Sequence, residues 1–227
     1  MTQLSIIIPV YNEVDNLNPL VKRIASSLKS TLFRKSYEIV FVDDSSTDGT
    51  TALINKLKSA YPIRLYVRKE KGLSSALVFG LKKAKGDAMV VMDADLSHPP
   101  ELIPSMIRLS KSNGLVIASR FVKGGGVRSW TFDRKMISFI ARLLARPLTK
   151  VRDPVSGFFL VRKKDIEGII LEPRSWKILL EIICKSKSKR MAELPYVFFN
   201  REKGASKLDS KEFLNYFRHI IALWLGK

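Results

Sequence analysis

Apolar runs and helical patterns alternate along the first half of the chain. LSIIIPV (4–10), YEIVFVDD (37–44), IRLYV (63–67), AMVVMDAD (88–95) and LVIASRF (115–121) are short, apolar and rich in β-branched residues. They predict strands. Between them, 13–33, 47–61, 72–85 and 99–112 carry the spacing of helices, and SSTDGT (45–50) offers Ser and Thr N-caps for one of these. Continuous apolar strands linked by helical crossovers predict an α/β fold, a mostly parallel sheet with helices on both faces. Ligands of such sheets sit at the carboxyl ends of the strands. PVYNE (9–13), VDDSSTDG (42–49) and DADLS (93–97) therefore share one rim.

Two later segments are amphipathic. On a helical wheel 134–150 sets Lys135, Arg142, Arg146 and Lys150 against Met136, Ile137, Ile140, Leu143 and Leu144, with Phe139 an exception. The wider apolar face of 211–225 holds Phe213, Leu214, Phe217, Ile220, Ile221, Leu223, Trp224 and Leu225, opposite Lys211, Asn215, Arg218 and His219. Such faces either pack on a core or lie on a membrane surface. No stretch reaches the roughly 20 apolar residues of a membrane span, and the N-terminal stretch does not read as a signal peptide.

Charge sharpens this picture. The chain of 227 residues carries a net charge of +19. Residues 1–119 hold 16 Lys and Arg against 11 Asp and Glu, whereas residues 120–227 hold 24 against 10. The second half is thus predicted to face something anionic: nucleic acid, phospholipid or a phosphate substrate. Cys184 is the only cysteine, so no intrachain disulfide forms.

The chemistry gathers on the rim. Asp43 and Asp44 end the second predicted strand, Asp93 and Asp95 the fourth. Residues i and i+2 of a strand point the same way, so Asp93 and Asp95 are expected to converge. Adjacent carboxylates are costly without a cation between them. All-oxygen ligands favour Mg²⁺ or Mn²⁺, which commonly also takes substrate phosphates. One aspartate suffices to cap the helix that follows; two are not needed for that. No G-x-G-x-x-G follows the first strand and no G-x-x-x-x-G-K-[ST] occurs, which argues against a dinucleotide-binding dehydrogenase and a P-loop NTPase. KGGGV (123–127) reads either as a simple turn or as a closing lid. Neither His98 nor His219 reads as catalytic; His98 lies nearer the carboxylates, and His219 falls on a polar helix face.

Seven stretches in order resemble the inverting glycosyltransferases of family 2, with a GT-A (Rossmann-like) fold, and within them the branch that forms dolichyl-phosphate mannose. They are SIIIPVYNE (5–13), YEIVFVDDSSTDGT (37–50), 71–100, IASRFVKGGGV (117–127), DPVSGFFLVRKKDI (153–166), SWKILLEI (175–182) and PYVFFNREKGASKL (195–208). The resemblance implies transfer of mannose from GDP-mannose to a dolichyl or other polyprenyl phosphate. It implies that Pro9, Tyr11, Glu13, Val42 and Asp44 hold the guanine nucleoside. Asp93, Ala94 and Asp95 would reach ribose, diphosphate and a Mg²⁺ or Mn²⁺. By the same resemblance Asp95 would be the main metal ligand, with Asp93 and with Ser97 where many relatives carry Gln. Arg120, Arg201 and Lys207 would meet phosphate, and Asp95, Arg120 and Lys207 would carry the catalytic role. Arg134 and Ser138 would face the acceptor phosphate. A lipid phosphate is already anionic and attacks without a general base, which suits the absence of a catalytic histidine.

The expected organisation is a glycosyltransferase domain over 1–210 and an amphipathic membrane-interface helix over 211–227. The protein is expected at the cytoplasmic face of a membrane, peripherally or through a small membrane subunit, with no nucleic-acid partner. Two rivals remain at this stage. One is the same fold using UDP-glucose or another nucleotide sugar. The other is a non-catalytic basic module that binds nucleic acid or membrane, which leaves the rim aspartates unexplained.

Overall fold

The computed structural model of the chain describes residues 3–173, 177–199 and 210–225. Its strands are β1 (Leu4–Val10), β2 (Tyr37–Asp43), β3 (Ile63–Val67), β4 (Ala88–Val91), β5 (Leu115–Ser119), β6 (Gly126–Val127), β7 (Phe159–Arg162), β8 (Met191–Pro195) and β9 (Val197–Phe198). Its helices are α1 (Val14–Leu28), α2 (Thr50–Leu57), α3 (Leu73–Lys83), α4 (Ile103–Ser110), α5 (Phe132–Ala145), α6 (Lys163–Ile166), α7 (Ile178–Lys185) and α8 (Ser210–Trp224). A 3₁₀ turn at Pro100–Leu102 leads into α4.

Seven strands form one sheet in the order β3-β2-β1-β4-β7-β5-β8, and β6 pairs with β9. The expected parallel sheet is present, with one antiparallel member, β7, between β4 and β5. Both faces are covered, which is why β1 is almost wholly apolar, and its one polar residue, Ser5, donates to Glu38 of β2. Leu4, Ile6, Ile8 and Val10 pack with residues of α1, α2 and α4. Ile7 points the other way, into a cluster with residues of α3 and α7. Strand order reverses beside β1: β2 lies on one flank and β4 on the other, both parallel to it. The crevice beyond the carboxyl ends of β1 and β4 is thus the natural ligand position.

Three sequence expectations change. The fourth strand ends at Val91, not at Asp95, and the fifth at Ser119. The helix after SSTDG is capped by Gly49 in left-handed conformation (φ 94°), not by a Ser or Thr side chain. Its orphan N–H groups are served instead by Asp48, whose carboxylate accepts from Thr50 N (3.0 Å) and, across to α1, from Val14 N (3.1 Å).

The third change concerns α8. Among the described residues no helix is long and apolar enough to cross a membrane. Tyr216 and Ile220 are buried with Ala141 and Ala145 of α5, Val155, and Leu180 of α7. Tyr216 Oη donates to Ala141 O at 2.9 Å. His219, expected on a polar face, is buried, with Nε2 3.5 Å from Glu181 Oε2. Glu181 Oε1 also accepts from Lys185 Nζ (2.8 Å) and Glu172 N (2.8 Å).

Burial alone would push the Glu181 carboxyl up; hydrogen bonds from His219, Lys185 and Glu172 N outweigh it and hold it below its ordinary value. A carboxyl lowered in the folded state gives stability that is complete above its unfolded value and lost as pH falls through the folded one. Glu181→Gln leaves Lys185 and His219 short of a charged partner, at a cost of about 3 kcal/mol. For a domain of this size that lowers the melting temperature by about 6–12 °C. Melting curves near pH 7 should show this gap, and it should close as pH drops through the lowered Glu181 value. A gap that widens in acid would contradict the assignment.

Candidate active site

The rim is built by loops laced to one another. After β1, Asn12 adopts a positive φ of 57°. Its backbone N donates to Ser46 Oγ (2.9 Å), and its side-chain carbonyl accepts from Thr47 N (2.9 Å). Glu13 N donates to Thr50 Oγ1 at 2.9 Å, and its carboxylate accepts from Asn16 Nδ2 at 2.7 Å. Lys71 Nζ stands 4.6 Å from the Tyr11 ring centre and donates to Tyr11 Oη at 3.0 Å. Pro9, half-buried, pairs in register with Val42. These contacts bring Pro9, Tyr11 and Glu13 to the crevice. Val42 does not reach it: it is fully buried among residues of α3, so this expected donor contact lacks an accessible side chain. Ala94 is buried as well and offers backbone only.

The four rim aspartates fall into two kinds. Asp43 is fully buried. It accepts from Ser46 N (2.9 Å) and Ser46 Oγ (2.6 Å), and from Thr51 Oγ1. Asp44 Oδ1 accepts from Arg68 Nε (2.9 Å) and Nη2 (2.6 Å), and Oδ2 from Gly72 N (2.8 Å). Both oxygens of Asp44 thus already tie the 68–72 loop to the end of β2.

Asp93 and Asp95 are different. Because β4 stops at Val91, the strand-alternation argument for their convergence fails; they sit on a bend that closes with Leu96 at φ 63°. Both are half-buried. Asp95 Oδ1 accepts from Ser97 N (3.1 Å) and Ser97 Oγ (2.5 Å). Asp93 N donates to His98 Nδ1 at 3.0 Å. His98 is buried and stacked on Phe158, with ring centres 5.2 Å apart. Burial pushes its pKa down, against the upward pull of Asp93 and Asp95. With Nδ1 accepting, the proton rests on Nε2, so the 3.8 Å approach of Nδ1 to Asp93 Oδ2 is a contact between neighbours and not an ion pair. Gly157 of the SGF stretch lies against this bend: a Cβ there would come within 3.1 Å of His98 Cε1 and 3.3 Å of Asp93 Oδ2.

Among the described residues no group of three or more His, Cys, Asp or Glu side chains is placed to hold a metal. The donors at the bend are two carboxylates and a hydroxyl, all hard oxygens. That set fits Mg²⁺ or Mn²⁺ sharing its remaining positions with a diphosphate and water. Ser97 acts here by orienting Asp95.

Within electrostatic reach of Asp93 lies a cationic cluster set among aromatic rings. Arg120 directly follows β5 and is buried. Nε and Nη2 donate to Asp153 Oδ2 and Oδ1, both at 2.8 Å. Burial alone would lower the Arg120 pKa; the Asp153 carboxylate outweighs it and holds the guanidinium charged. Arg134, in the first turn of α5, has Cζ 4.7 Å from the Trp130 ring and 5.3 Å from Phe198. Arg120 Cζ is 5.2 Å and 5.8 Å from the same two rings. Ser138 Oγ, one turn beyond Arg134, and Trp130 Nε1 are buried without a hydrogen-bond partner among the described residues. Lys177, before α7, completes the cluster. Burial and Arg120 push its ammonium down to about 7, with Asp93 and Asp153 pulling the other way.

The structure therefore gathers Asp93, Asp95, Ser97, Arg120, Arg134 and Ser138 near the crevice. Arg201 and Lys207 lie outside the described residues. Asp153 and Lys177 were missed as site residues: both stand in stretches the sequence analysis singled out, DPVSGFF and SWKILLEI, but nothing local assigns either a role.

The sheet reverses order beside the paired carboxylates, and the solved structures it resembles in fold are GT-A glycosyltransferases. Glucosyl-3-phosphoglycerate synthase from Mycobacterium tuberculosis superposes with a TM-score of 0.72 at 17% identity in its complex with Mn²⁺, UDP-glucose and phosphoglyceric acid. A second complex of the same enzyme, with Mn²⁺, UDP and glucosyl-3-phosphoglycerate, gives 0.70 at 19%. Each match covers 99% of this chain and 79% of the other. The family model for Glycosyl transferase family 2 matches residues 5–170, and the chain belongs to that family. Three curated relatives are named dolichol-phosphate mannosyltransferase. The one from Pyrococcus furiosus is 46% identical over 99% of this chain, that from Mycosarcoma maydis 39% over 97%, and that from Saccharomyces cerevisiae 36% over 99%. The chain spans 65%, 78% and 88% of their respective lengths.

Proposed function

We propose that the chain transfers mannose from GDP-mannose to dolichyl or another polyprenyl phosphate with inversion at the anomeric carbon. The observation that carries this reading is that carboxylates and cations lie close enough to act on one another: Asp93 acts on both Arg120 and Lys177, and Arg134 acts on Lys177. The half-buried Asp93–Asp95 bend suits a cation, and Arg120, Arg134 and Lys177 suit phosphate. The names of the curated relatives supply the sugar and the lipid. Pro9, Tyr11, Glu13 and Asp44 line the donor side in this reading. Asp93 and Asp95, with Ser97 orienting Asp95, would hold Mg²⁺ or Mn²⁺, whose chemistry there is neutralisation of the departing diphosphate.

An acceptor phosphate oxygen attacks the anomeric carbon; the bond from that carbon to the β-phosphate oxygen breaks, and GDP leaves with the electron pair. No proton needs removing. That accords with His98, whose Nδ1 is already occupied by Asp93 N. Beside Arg134, the buried Ser138 hydroxyl, without a hydrogen-bond partner among the described residues, suits a phosphate oxygen.

Placement at a membrane rests on exposed apolar residues at helical spacing. Phe132, Met136, Phe139, Ile140 and Leu143 run along α5, and Phe217, Ile221 and Trp224 along α8. The Phe139 that broke the helical wheel belongs to this exposed stripe. The two helices are in contact through Tyr216 and Ala141. Lys135, Arg146 and Arg218 are exposed among them, as expected of a surface that meets anionic lipid on the cytoplasmic face.

The direct test is thermal shift and radiolabel transfer with GDP-mannose, UDP-glucose and DNA, each with and without Mn²⁺. Stabilisation and transfer by GDP-mannose alone support the reading. Preference for UDP-glucose would overturn the donor, and binding of DNA without transfer would overturn the enzyme. Arg134→Ala is expected to raise the acceptor KM about 10- to 100-fold, the worth of one charge-assisted hydrogen bond. GDP-mannose affinity, measured by calorimetry, should change less than about threefold, within half of a typical net hydrogen bond. Equal losses at both would place the acceptor elsewhere.

A further inference from the structure

Asp153 is fully buried, and it holds one residue at three points. Its Oδ2 accepts from Arg120 N (3.0 Å) and Arg120 Nε (2.8 Å), and its Oδ1 from Arg120 Nη2 (2.8 Å). A single carboxylate thus fixes the root and the tip of the same side chain. The aspartate is itself gripped from behind. Glu193 of β8 accepts from Arg152 N at 2.9 Å (Oε2) and from Asp153 N at 3.1 Å (Oε1). Glu193 pairs in register with Ile117 on β5, the strand that delivers Arg120. Two adjacent parallel strands therefore set both members of the pair.

We propose that Asp153 is a positioning residue that presents Arg120 to the reactants' phosphate groups, with Glu193 fixing Asp153 for that task. This rests on the reading above that Arg120 meets phosphate. A guanidinium is planar and carries five N–H groups in a rigid fork. Asp153 takes the Nε–Nη2 edge, so the Nη1 side of the fork is the one turned away from it. Phe121, Trp130 and Phe198 lie 5.3, 5.2 and 5.8 Å from Arg120 Cζ and bound its remaining freedom. Stability alone is a weak reason for such a pair, because a buried ion pair is seldom better than apolar residues of equal volume. Fixed orientation is what apolar residues would not provide. Asp153 also answers a local hazard. The Asp93 carboxylate acts on Arg120 as well. A guanidinium released from Asp153 would be drawn towards the carboxylate that the cation needs.

The test is a double-mutant cycle on kcat/KM for polyprenyl phosphate with GDP-mannose as donor. Arg120→Ala should lower it about 100-fold or more, and Asp153→Asn about 10- to 100-fold, as for loss of charge-assisted contacts. The double variant should be no worse than Arg120→Ala within about threefold, because Asp153 acts only through Arg120. Glu193→Gln should give a smaller loss that likewise disappears in the Arg120→Ala background. It decides the matter if Asp153→Asn fails to fold. Multiplying losses in either cycle would overturn the positioning role, since a purely structural aspartate destabilises regardless of Arg120. Unchanged activity in Arg120→Ala would overturn this proposal together with the phosphate reading beneath it. Loss in Arg120→Ala with multiplying effects would overturn the proposal alone.

Discussion

Asp95→Ala is expected to reduce the proposed mannosyl transfer about a thousandfold or more while the protein stays folded, because in that mechanism Asp95 would hold a charge-neutralising cation whose loss raises the barrier by several kcal/mol. The structure explains why the fold should survive. Asp95 is half-buried on a bend beyond β4, and the bonds described above tie it to Ser97, two residues away. Losing them costs about 1 kcal/mol, or about 2–4 °C in melting temperature. Asp43→Ala is the instructive contrast. It would leave Ser46 and Thr51 without their buried acceptor and should destabilise the loop that supports the crevice. Radiolabel transfer and melting curves on the two variants separate chemistry from folding. Near-normal turnover in Asp95→Ala, or full activity of the native protein in EDTA, would end the metal-dependent mechanism.

The sequence set Asp93 and Asp95 apart as the candidate cation ligands and assigned Asp44 to the nucleoside, but it did not show that Asp43 and Asp44 hold the rim loops together. What distinguishes Asp44 is Arg68, 24 residues away, and Gly72 N beyond it. Asp153 likewise acquires its role only through Arg120, 33 residues before it. Pairings at such distances are made by the fold, and a local pattern does not carry them.

The strands divide in the same way. β1, β2, β3 and β5 are predominantly apolar runs of five to seven residues, so the pattern found them. The run of β4 continues into MDAD, and composition alone does not mark Val91 as the point where pairing stops. β7 is a four-residue insertion, FLVR, paired antiparallel on both sides. β8, MAELP, lies at the sheet's edge and is half-buried along its length, so it shows neither alternation nor an apolar run. The rim itself was legible, because it depends on where the parallel strands end, and the first three of them were placed correctly.

α8 carries two apolar stripes where the helical wheel showed one wide face, and they are expected to respond oppositely to substitution. Tyr216 and Ile220 turn inward onto α5 and α7. Phe217, Ile221 and Trp224, 42%, 44% and 69% exposed, turn outward beside the exposed stripe of α5. Tyr216→Ala removes a buried ring and its bond to Ala141 O, a loss of about 3–5 kcal/mol by analogy with other buried aromatics. That corresponds to a fall of about 6–20 °C in melting temperature. Phe217→Ser combined with Trp224→Ser truncates rings that are largely exposed or half-exposed, and its melting temperature should fall clearly less than that of Tyr216→Ala. The double variant should nonetheless cease to co-sediment with vesicles containing anionic phospholipid. Insertion of the rings and charge attraction add, and each basic residue near such a surface contributes about 1 kcal/mol. Charge alone, screened at physiological salt, should therefore be too weak to hold the double variant on the vesicles. Transfer to long-chain polyprenyl phosphate should fall with vesicle binding, and transfer to a short soluble analogue should persist. A large melting shift in Phe217→Ser with Trp224→Ser would mean that the outward stripe is packed after all. Unchanged vesicle binding would mean that the membrane is met by another surface, and the exposed rings of α5, Phe132 and Phe139 foremost, would be the next to replace.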